Sequence, residues 1–405
     1  MSSLNRRRFL QLAGAAAGAG FAPSVLRAET RATKARVVVV GGGYGGTIAA
    51  KYLRRMDPGI HVTLVEPKKS YVSCPFSNLV IAGVRDISSI TFGYEGLSEH
   101  GIEVIHDRVT SVDPQKRRVR LEGGKSLDYD RLVLSPGTDF RWDAIDGYGP
   151  QATERMPHAW EAGPQTVLLR DQIRAMPNGG TVYIVCPPNP FRCPPGPYER
   201  ASLIAWWLSQ HKPRSKVVML DSKDAFSKQA LFQQGWETLY PEKIEWVSRA
   251  NDGKVVAVDA KRKILRTEFD EHVADVACVI PAQKAGALAD VAEVTDKSGW
   301  CPVNPRTFES TLQAGVHVVG DACNAGAMPK SGYAANSQAK VAAAAIAALV
   351  NGDEPGAPAY VNTCYSVLSP DYGISVAAVY EHTNGSIRGV QGAGGVSGLH
   401  EPPST

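Results

Sequence analysis

The chain has 405 residues, room for about two or three domains with cores of their own, which excludes a single small module. Its 44 basic and 40 acidic residues nearly balance, and the Lys and Arg are scattered rather than striped, which excludes a broad footprint for nucleic acid. The seven cysteines include no C-x-x-C-H pair and no spacing of metal-ligand type, so neither a c-type haem nor a metal site is expected on this chain.

The first 28 residues differ from the rest. "NRRRFLQLAGAAAGAGFAPSVLRA" has an arginine-rich start, an Ala/Gly stretch too short and too weakly apolar to span a bilayer, and a small residue at Ala28 where a peptidase could cut. It reads as an export signal. Arg6 and Arg7, followed by Phe9 and Leu10, resemble the twin-arginine type, so the expected location is the periplasm, an oxidising compartment.

"ARVVVVGGGYGGTIAAKYLRRMDPGIHVTLVEP" then carries the strongest signal in the chain. A valine strand leads into Gly41, Gly43 and Gly46 in G-x-G-x-x-G spacing, a helical stretch follows, and a second strand ends on Glu66. The first glycine allows a tight turn, the second lets backbone approach a pyrophosphate, and the third lets helix and strand pack closely. Glu66 can accept hydrogen bonds from a ribose. By itself this motif does not distinguish FAD from NAD. Directly afterwards, "KKSYVSCPFSNLVIAG" places Cys74 where the chain should pass near the cofactor.

Two later stretches, "LDYDRLVLSPGTDF" (127–140) and "AGVHVVGDA" (314–322), resemble the FAD-contact segments of the flavoprotein disulfide reductases with two dinucleotide domains. The resemblance implies an α/β fold with two Rossmann-like domains, the cofactor FAD, and Asp321 on its ribityl chain. Residues 331–350 read as a long Ala-rich helix whose N-terminus would face the flavin.

The second dinucleotide site breaks its own pattern. "GTVYIV" (180–185) reads as its first strand, yet "CPPNPFRCPPGPYER" follows it. Pro187, Pro188, Pro190, Pro194, Pro195 and Pro197 lack amide hydrogens and cannot cradle a pyrophosphate, so no NAD(P)H is expected here. The stretch reads instead as a stiff loop presenting Cys193. Glu199, near the start of the next helix, is either a proton acceptor or a first-turn acid favoured by the helix dipole.

The segments around Cys74, "FRCPPGPYER", "GWCPVNPRTFES", "MPKSGYAANSQAKVAAAA" and "NTCYSVLSPDYGISVAAVY" resemble the flavin-binding subunit of flavocytochrome c sulfide dehydrogenase over nearly the whole chain after the leader. The resemblance implies a thioether from Cys74 to FAD, a redox disulfide between Cys193 and Cys364, and Glu199 as a base. Cys186 and Cys323 are extra to the pattern, and Cys301 belongs to it without an assigned role. The implied activity is oxidation of sulfide to sulfur or polysulfide, with electrons passed to a c-type cytochrome subunit that carries the haem.

The expected layout is a leader (1–28), a split FAD domain (34–145 and 285–356), an inserted Rossmann-like domain without a NAD site (146–284) and a C-terminal segment (357–405). One rival is a sulfide:quinone oxidoreductase, which would need an amphipathic membrane anchor that "RGVQGAGGVSGLHEPPST" does not offer; no stable membrane insertion is expected. The other is a non-catalytic flavin subunit for electron transfer, which would have no use for a cysteine pair at the flavin ring.

Overall fold

The computed structural model describes residues 33–398; the export-signal reading lies outside them. In chain order, β1 (Ala35–Val40), α1 (Tyr44–Met56), β2 (Ile60–Val65), β3 (Glu103–Ile105) and β4 (Arg131–Leu134) come first. Next are β5 (Thr181–Cys186), α2 (Gly196–His211), β6 (Lys216–Asp221), β7 (Ile244–Val247) and β8 (Val276–Val279). The chain closes with β9 (Val316–Val318), α3 (Gly332–Val350), β10 (Tyr360–Ser369), β11 (Tyr372–Thr383) and β12 (Ser386–Val396).

The first sheet is parallel, in the order β9-β4-β1-β2-β3. Its strands are covered on both faces, which is why β1 and β2 are apolar along their length rather than alternating. The last strand, β9, arrives only after the second sheet has been built. That second sheet is also parallel, ordered β7-β6-β5-β8. Thr138–Phe140 and Gln283–Ala285, the strands leading out of and back to the first sheet, pair antiparallel. The α/β class and the two Rossmann-like sheets agree with the sequence reading.

Small residues set the spacing around β1. α1 buries Gly45, Gly46, Ala49, Ala50 and Leu53. Alanines let α3 pack closely as well, with Ala339, Ala342, Ala343 and Ile346 fully buried, so this helix is not the solvent-facing element its composition also permits. Ser331 caps it, accepting from the Ala334 N–H at 3.0 Å.

The C-terminal residues, expected as a mere segment, form the antiparallel sheet β10-β11-β12. Tyr360, Tyr380 and Ile387 join the core of the first sheet, whereas Leu368 and Ile374 join that of the second. The sheet therefore spans both cores, and Cys364 lies on its first strand between the two sets of anchors.

His158 belongs to the second core region, 4.4 Å from the Phe140 ring, and its Nδ1 accepts the Trp160 N–H at 2.9 Å. Burial, followed by the nearby Arg200 charge, pushes its pKa down to about 4. The folded imidazole thus stays neutral between about pH 6.5 and 4, where the unfolded chain takes up a proton, so stability falls as pH drops through that window. Between pH 7 and pH 5 the loss from this group is about 2 kcal/mol. Urea unfolding should show a drop about 2 kcal/mol smaller in His158→Asn, whose Oδ1 keeps the acceptor but does not titrate; an equal drop in both proteins refutes the assignment.

Candidate active site

The first glycine turn is built for a dinucleotide. Gly41 has φ +102°, and a Cβ there would lie 2.3 Å from the Ser135 carbonyl oxygen. At Gly46 a Cβ would lie 1.8 Å from the Gly41 carbonyl oxygen, so helix and turn approach too closely for any side chain. A Cβ on Gly43, by contrast, would meet nothing nearer than Tyr71 at 3.9 Å, which leaves that face open to a ligand. Gly43 caps α1 without a side-chain partner, and the first turn carries no acid to occupy its free N–H groups. Glu66, one residue past β2, accepts from the Gly42 and Lys68 N–H groups at 2.7 and 3.0 Å, which fixes its carboxylate and leaves further lone pairs.

Asp321 closes the other side. Its Oδ1 is buried without a hydrogen-bond partner, an orphan that a ribityl hydroxyl would satisfy, and burial raises its pKa. Open glycine face, free helix N-terminus, fixed ribose acceptor and orphaned acid together fit FAD.

Arg192, which the sequence reading passed over although it directly precedes Cys193, sits at the centre of this wall. Its charge faces Cys74, Asp321, Tyr71 and Cys193. Its guanidinium donates to the Trp160 carbonyl, which Cys74 Sγ also approaches at 3.7 Å. Cys74 and Cys193 thus both lie within electrostatic range of one cation.

Three of the five amides in the proline loop after β5 are spent on the protein itself. The Arg192 N–H donates to Gln283 Oε1 at 3.0 Å, the Cys193 N–H to the Lys330 carbonyl at 2.7 Å, and the Gly196 N–H to the Cys193 carbonyl at 2.8 Å. Helix α2 starts two residues earlier than "YERASLIAWWLSQ" suggested, taking in Gly196 and Pro197. Cys193 itself has φ +56°, a left-handed conformation unusual for a residue with a side chain, held by those two bonds.

Asp221, at the end of β6, stands where a second ribose acceptor would be. It is fully buried and saturated, accepting from Tyr198 Oη at 2.6 Å, Trp246 Nε1 at 3.0 Å and Lys223 Nζ at 2.6 Å. Tyr198 also stacks on Phe226 at 3.7 Å, filling space beside the strand ends.

Glu199 has a fuller role than either sequence alternative. Its Oε1 accepts the Val367 N–H at 3.1 Å, fastening β10 to α2, and its Oε2 accepts Asn78 Nδ2 at 3.2 Å. Burial raises its pKa against the lowering effect of those two bonds. The neighbouring Arg200 is buried and, among the described residues, has no carboxylate within ion-pair distance. It donates to Asn78 Oδ1, the His158 and Ala159 carbonyls and Cys278 Sγ, at 3.0, 2.8, 2.6 and 3.1 Å. By holding Oδ1, Arg200 turns the Asn78 amide so that its nitrogen faces Glu199. Five donors in a fixed fork make arginine suited to this place.

Cys193 and Cys364 lie within electrostatic range of each other. Burial, then Glu199, pushes the Cys193 thiol well up. Cys364 Sγ lies 3.4 Å from Asn362 Nδ2, and Asn362 is itself anchored by Ser331 Oγ at 2.6 Å. All seven cysteines are free thiols in this structure, so the expected Cys193–Cys364 bridge is open here. Of the unassigned cysteines, Cys301 and Cys323 are strand neighbours, and Cys186 is buried at the end of β5.

Fold and cradle define a flavin-binding oxidoreductase of the pyridine nucleotide-disulphide type. Residues 35–161 match the family model "Pyridine nucleotide-disulphide oxidoreductase". Residues 166–281 match "Sulfide dehydrogenase [flavocytochrome c] flavoprotein chain, central", and residues 356–405 match "Flavocytochrome c sulphide dehydrogenase, flavin-binding". A sulfide dehydrogenase [flavocytochrome c] flavoprotein chain of Chlorobaculum thiosulfatiphilum is 71% identical over 45 residues, 94% of that sequence and 11% of this one. The chain belongs to the family of flavocytochrome c sulfide dehydrogenase flavoprotein chains. More distantly, mouse mitochondrial sulfide:quinone oxidoreductase is 22% identical over 71% of this chain, and the match spans 65% of the mouse protein. The solved sulfide:quinone oxidoreductase of Aquifex aeolicus shares the fold at a TM-score of 0.71 and 19% identity, covering 89% of this chain and 87% of that one.

Proposed function

We propose that this protein oxidises sulfide to zero-valent or chain sulfur through a Cys193–Cys364 disulfide and FAD, and passes the electrons to a c-type cytochrome subunit. The observation that carries this reading is that Cys193 lies within electrostatic range of both Cys364 and Glu199, and that Glu199 accepts the N–H of Val367, three residues after Cys364, with Cys74, Arg192 and Asp321 forming the adjoining flavin wall. Gly41, Gly43, Gly46, Glu66 and Asp321 would hold FAD, and Cys74 would tether it through a thioether. Bound FAD supplies a two-electron acceptor able to release electrons singly to a haem.

The chain's own part is thiol chemistry. Hydrosulfide attacks one sulfur of the bridge, the S–S bond breaks, and the products are a persulfide on one cysteine and a thiolate on the other. Glu199, within electrostatic range of Cys193 and bonded to the Val367 N–H three residues beyond Cys364, would take the proton that sulfide loses. Trp160 and the proline loop restrict water around Cys193; the indole edge is so close to Gly196 that a Cβ there would lie 2.7 Å away.

The filled Asp221 corner and the spent amides of the proline loop argue against a pyridine nucleotide as electron donor. The outer face of β10-β11 exposes Val361 and its cross-strand partner Val379 together with Tyr365, and is the surface we assign to the cytochrome. No described helix is long and apolar enough to cross a membrane. With the leader read as a twin-arginine signal, the proposed location is the periplasm.

Anaerobic titration of the purified protein tests the reading. Sulfide should bleach the flavin absorbance fully, whereas NADH and NADPH should leave it unchanged. Bleaching by NADH, or none by sulfide, would overturn it.

A further inference from the structure

A half-buried lysine stands near the cysteine pair without a role in the chemistry above. Lys228 precedes the helix Gln229–Leu239 in a left-handed conformation, φ 61° and ψ 29°. Its Nζ donates to Ser366 Oγ at 2.7 Å and lies 5.8 Å from the centre of the Phe232 ring. Among the described residues it has no carboxylate within ion-pair distance. Lys223, five positions earlier, pairs directly with Asp221 at 2.6 Å.

The strand explains where this cation points. Side chains two apart in a strand share a face and stand about 7 Å from one another. Asn362, Cys364 and Ser366 therefore form one row on β10, and Ser366 holds the ammonium beside Cys364. The ionisable groups that Lys228 faces are Cys364, Glu199 and Cys193. Beyond these, the Arg200 charge also acts on Glu199, and those of Arg192 and Cys74 on Cys193.

Burial works against the ionised forms of both Cys193 and Glu199. Burial works against the Lys228 ammonium as well, so it gains from a compensating negative charge that its fixed neighbours resist supplying, an arrangement that favours a small mobile anion. A strained backbone and a buried charge are costs that a helix cap alone does not require.

We propose that Lys228 is the anion-binding residue of this site, receiving hydrosulfide and then the terminal sulfur of the cysteine persulfide as anions, with Ser366 fixing its ammonium. This deepens the sulfide-oxidation reading and rests on it. The substrate class selected is anionic inorganic sulfur rather than dissolved hydrogen sulfide gas or a neutral thiol.

Three variants of the flavin-loaded full chain test it: Lys228→Met, which keeps length and backbone strain but removes the charge, Lys228→Arg and Ser366→Ala. Two quantities are read. One is flavin bleaching by stopped flow against sulfide concentration; the other is the rate at which neutral iodoacetamide alkylates Cys364 at pH 7 in the reduced protein, followed by mass spectrometry. Lys228→Met should raise the half-saturating sulfide concentration at least about tenfold while leaving the limiting rate within about twofold, and should slow alkylation at least about threefold, because a nearby cation favours the thiolate. Arginine should restore both, and Ser366→Ala should fall between.

Unchanged half-saturation and alkylation in Lys228→Met overturn the proposal. If that variant fails to fold, Ser366→Ala decides on the same two readings, its equality with wild type being the overturning result. If wild-type flavin is not bleached by sulfide, the sulfide-oxidation reading falls, and alkylation alone decides whether Lys228 is the site's counter-charge.

Discussion

Replacing either Cys193 or Cys364 by serine should abolish flavin reduction by sulfide, by at least about a thousandfold, while FAD stays bound and the fold survives. The reason is stoichiometric: one sulfur receives the incoming atom and the other must leave as thiolate, so a serine at either place removes the S–S bond that sulfide attacks. Serine fits both positions. Cys193 keeps its left-handed backbone through the bonds of its N–H to Lys330 and its carbonyl to Gly196, neither of which involves sulfur. The double variant should be little worse than either single one, because the two residues act as one unit.

A purely structural bridge predicts something else. Closing a loop of this length stabilises by about 5 kcal/mol in the chain-entropy model, so a staple would reveal itself as a large drop in melting temperature with turnover preserved. Reductant opens the bridge in wild type as well and removes that melting difference, so turnover separates the two roles: a staple leaves it intact in the variants, a redox bridge loses it. Near-normal sulfide turnover in either single variant would refute the mechanism.

Acid precipitation should leave the flavin with the wild-type protein and release it almost completely from Cys74→Ser. Cys74 lies two residues after Val72, partly exposed, with its sulfur aimed toward the Trp160 carbonyl and close to Arg192. Acid unfolds the glycine cradle, so every non-covalent hold is lost together, and a bond is what remains. The check is flavin fluorescence in pellet and supernatant. Should Cys74→Ser still carry flavin into the pellet, the tether is on another residue or absent. Before acid treatment the variant should still bind FAD, since Gly41, Gly46, Glu66 and Asp321 are untouched.

Local rules made the first half of this protein legible. A valine run, three glycines and an acid at fixed spacing specify strand, turn and helix within one short stretch, because each requirement is steric and acts between near neighbours: φ +102° at Gly41, and 1.8 Å of room at Gly46. The break in the second glycine pattern could also be read directly, since proline has no amide hydrogen wherever it stands. The sequence could not disclose that the corner at Asp221 is filled, because two of the residues that saturate it, Tyr198 and Trp246, come from other elements of the fold.

The C-terminal sheet was hidden for a related reason. β12 is rich in glycine and mostly exposed, and β10 buries its anchors in two different cores, so no single periodic face announces it. Glu199 as a clamp on Val367, Arg200 orienting Asn78, and Lys228 held at Ser366 are likewise contacts between distant stretches of chain. The amino-acid sequence by itself determined which backbone turns could form, which thiols and acids were present, and the family they belong to. Tertiary structure decided which of them meet and how far each is buried, and hence which charges go uncompensated, because burial and electrostatic neighbourhood are properties of packed elements, not of residues in a row.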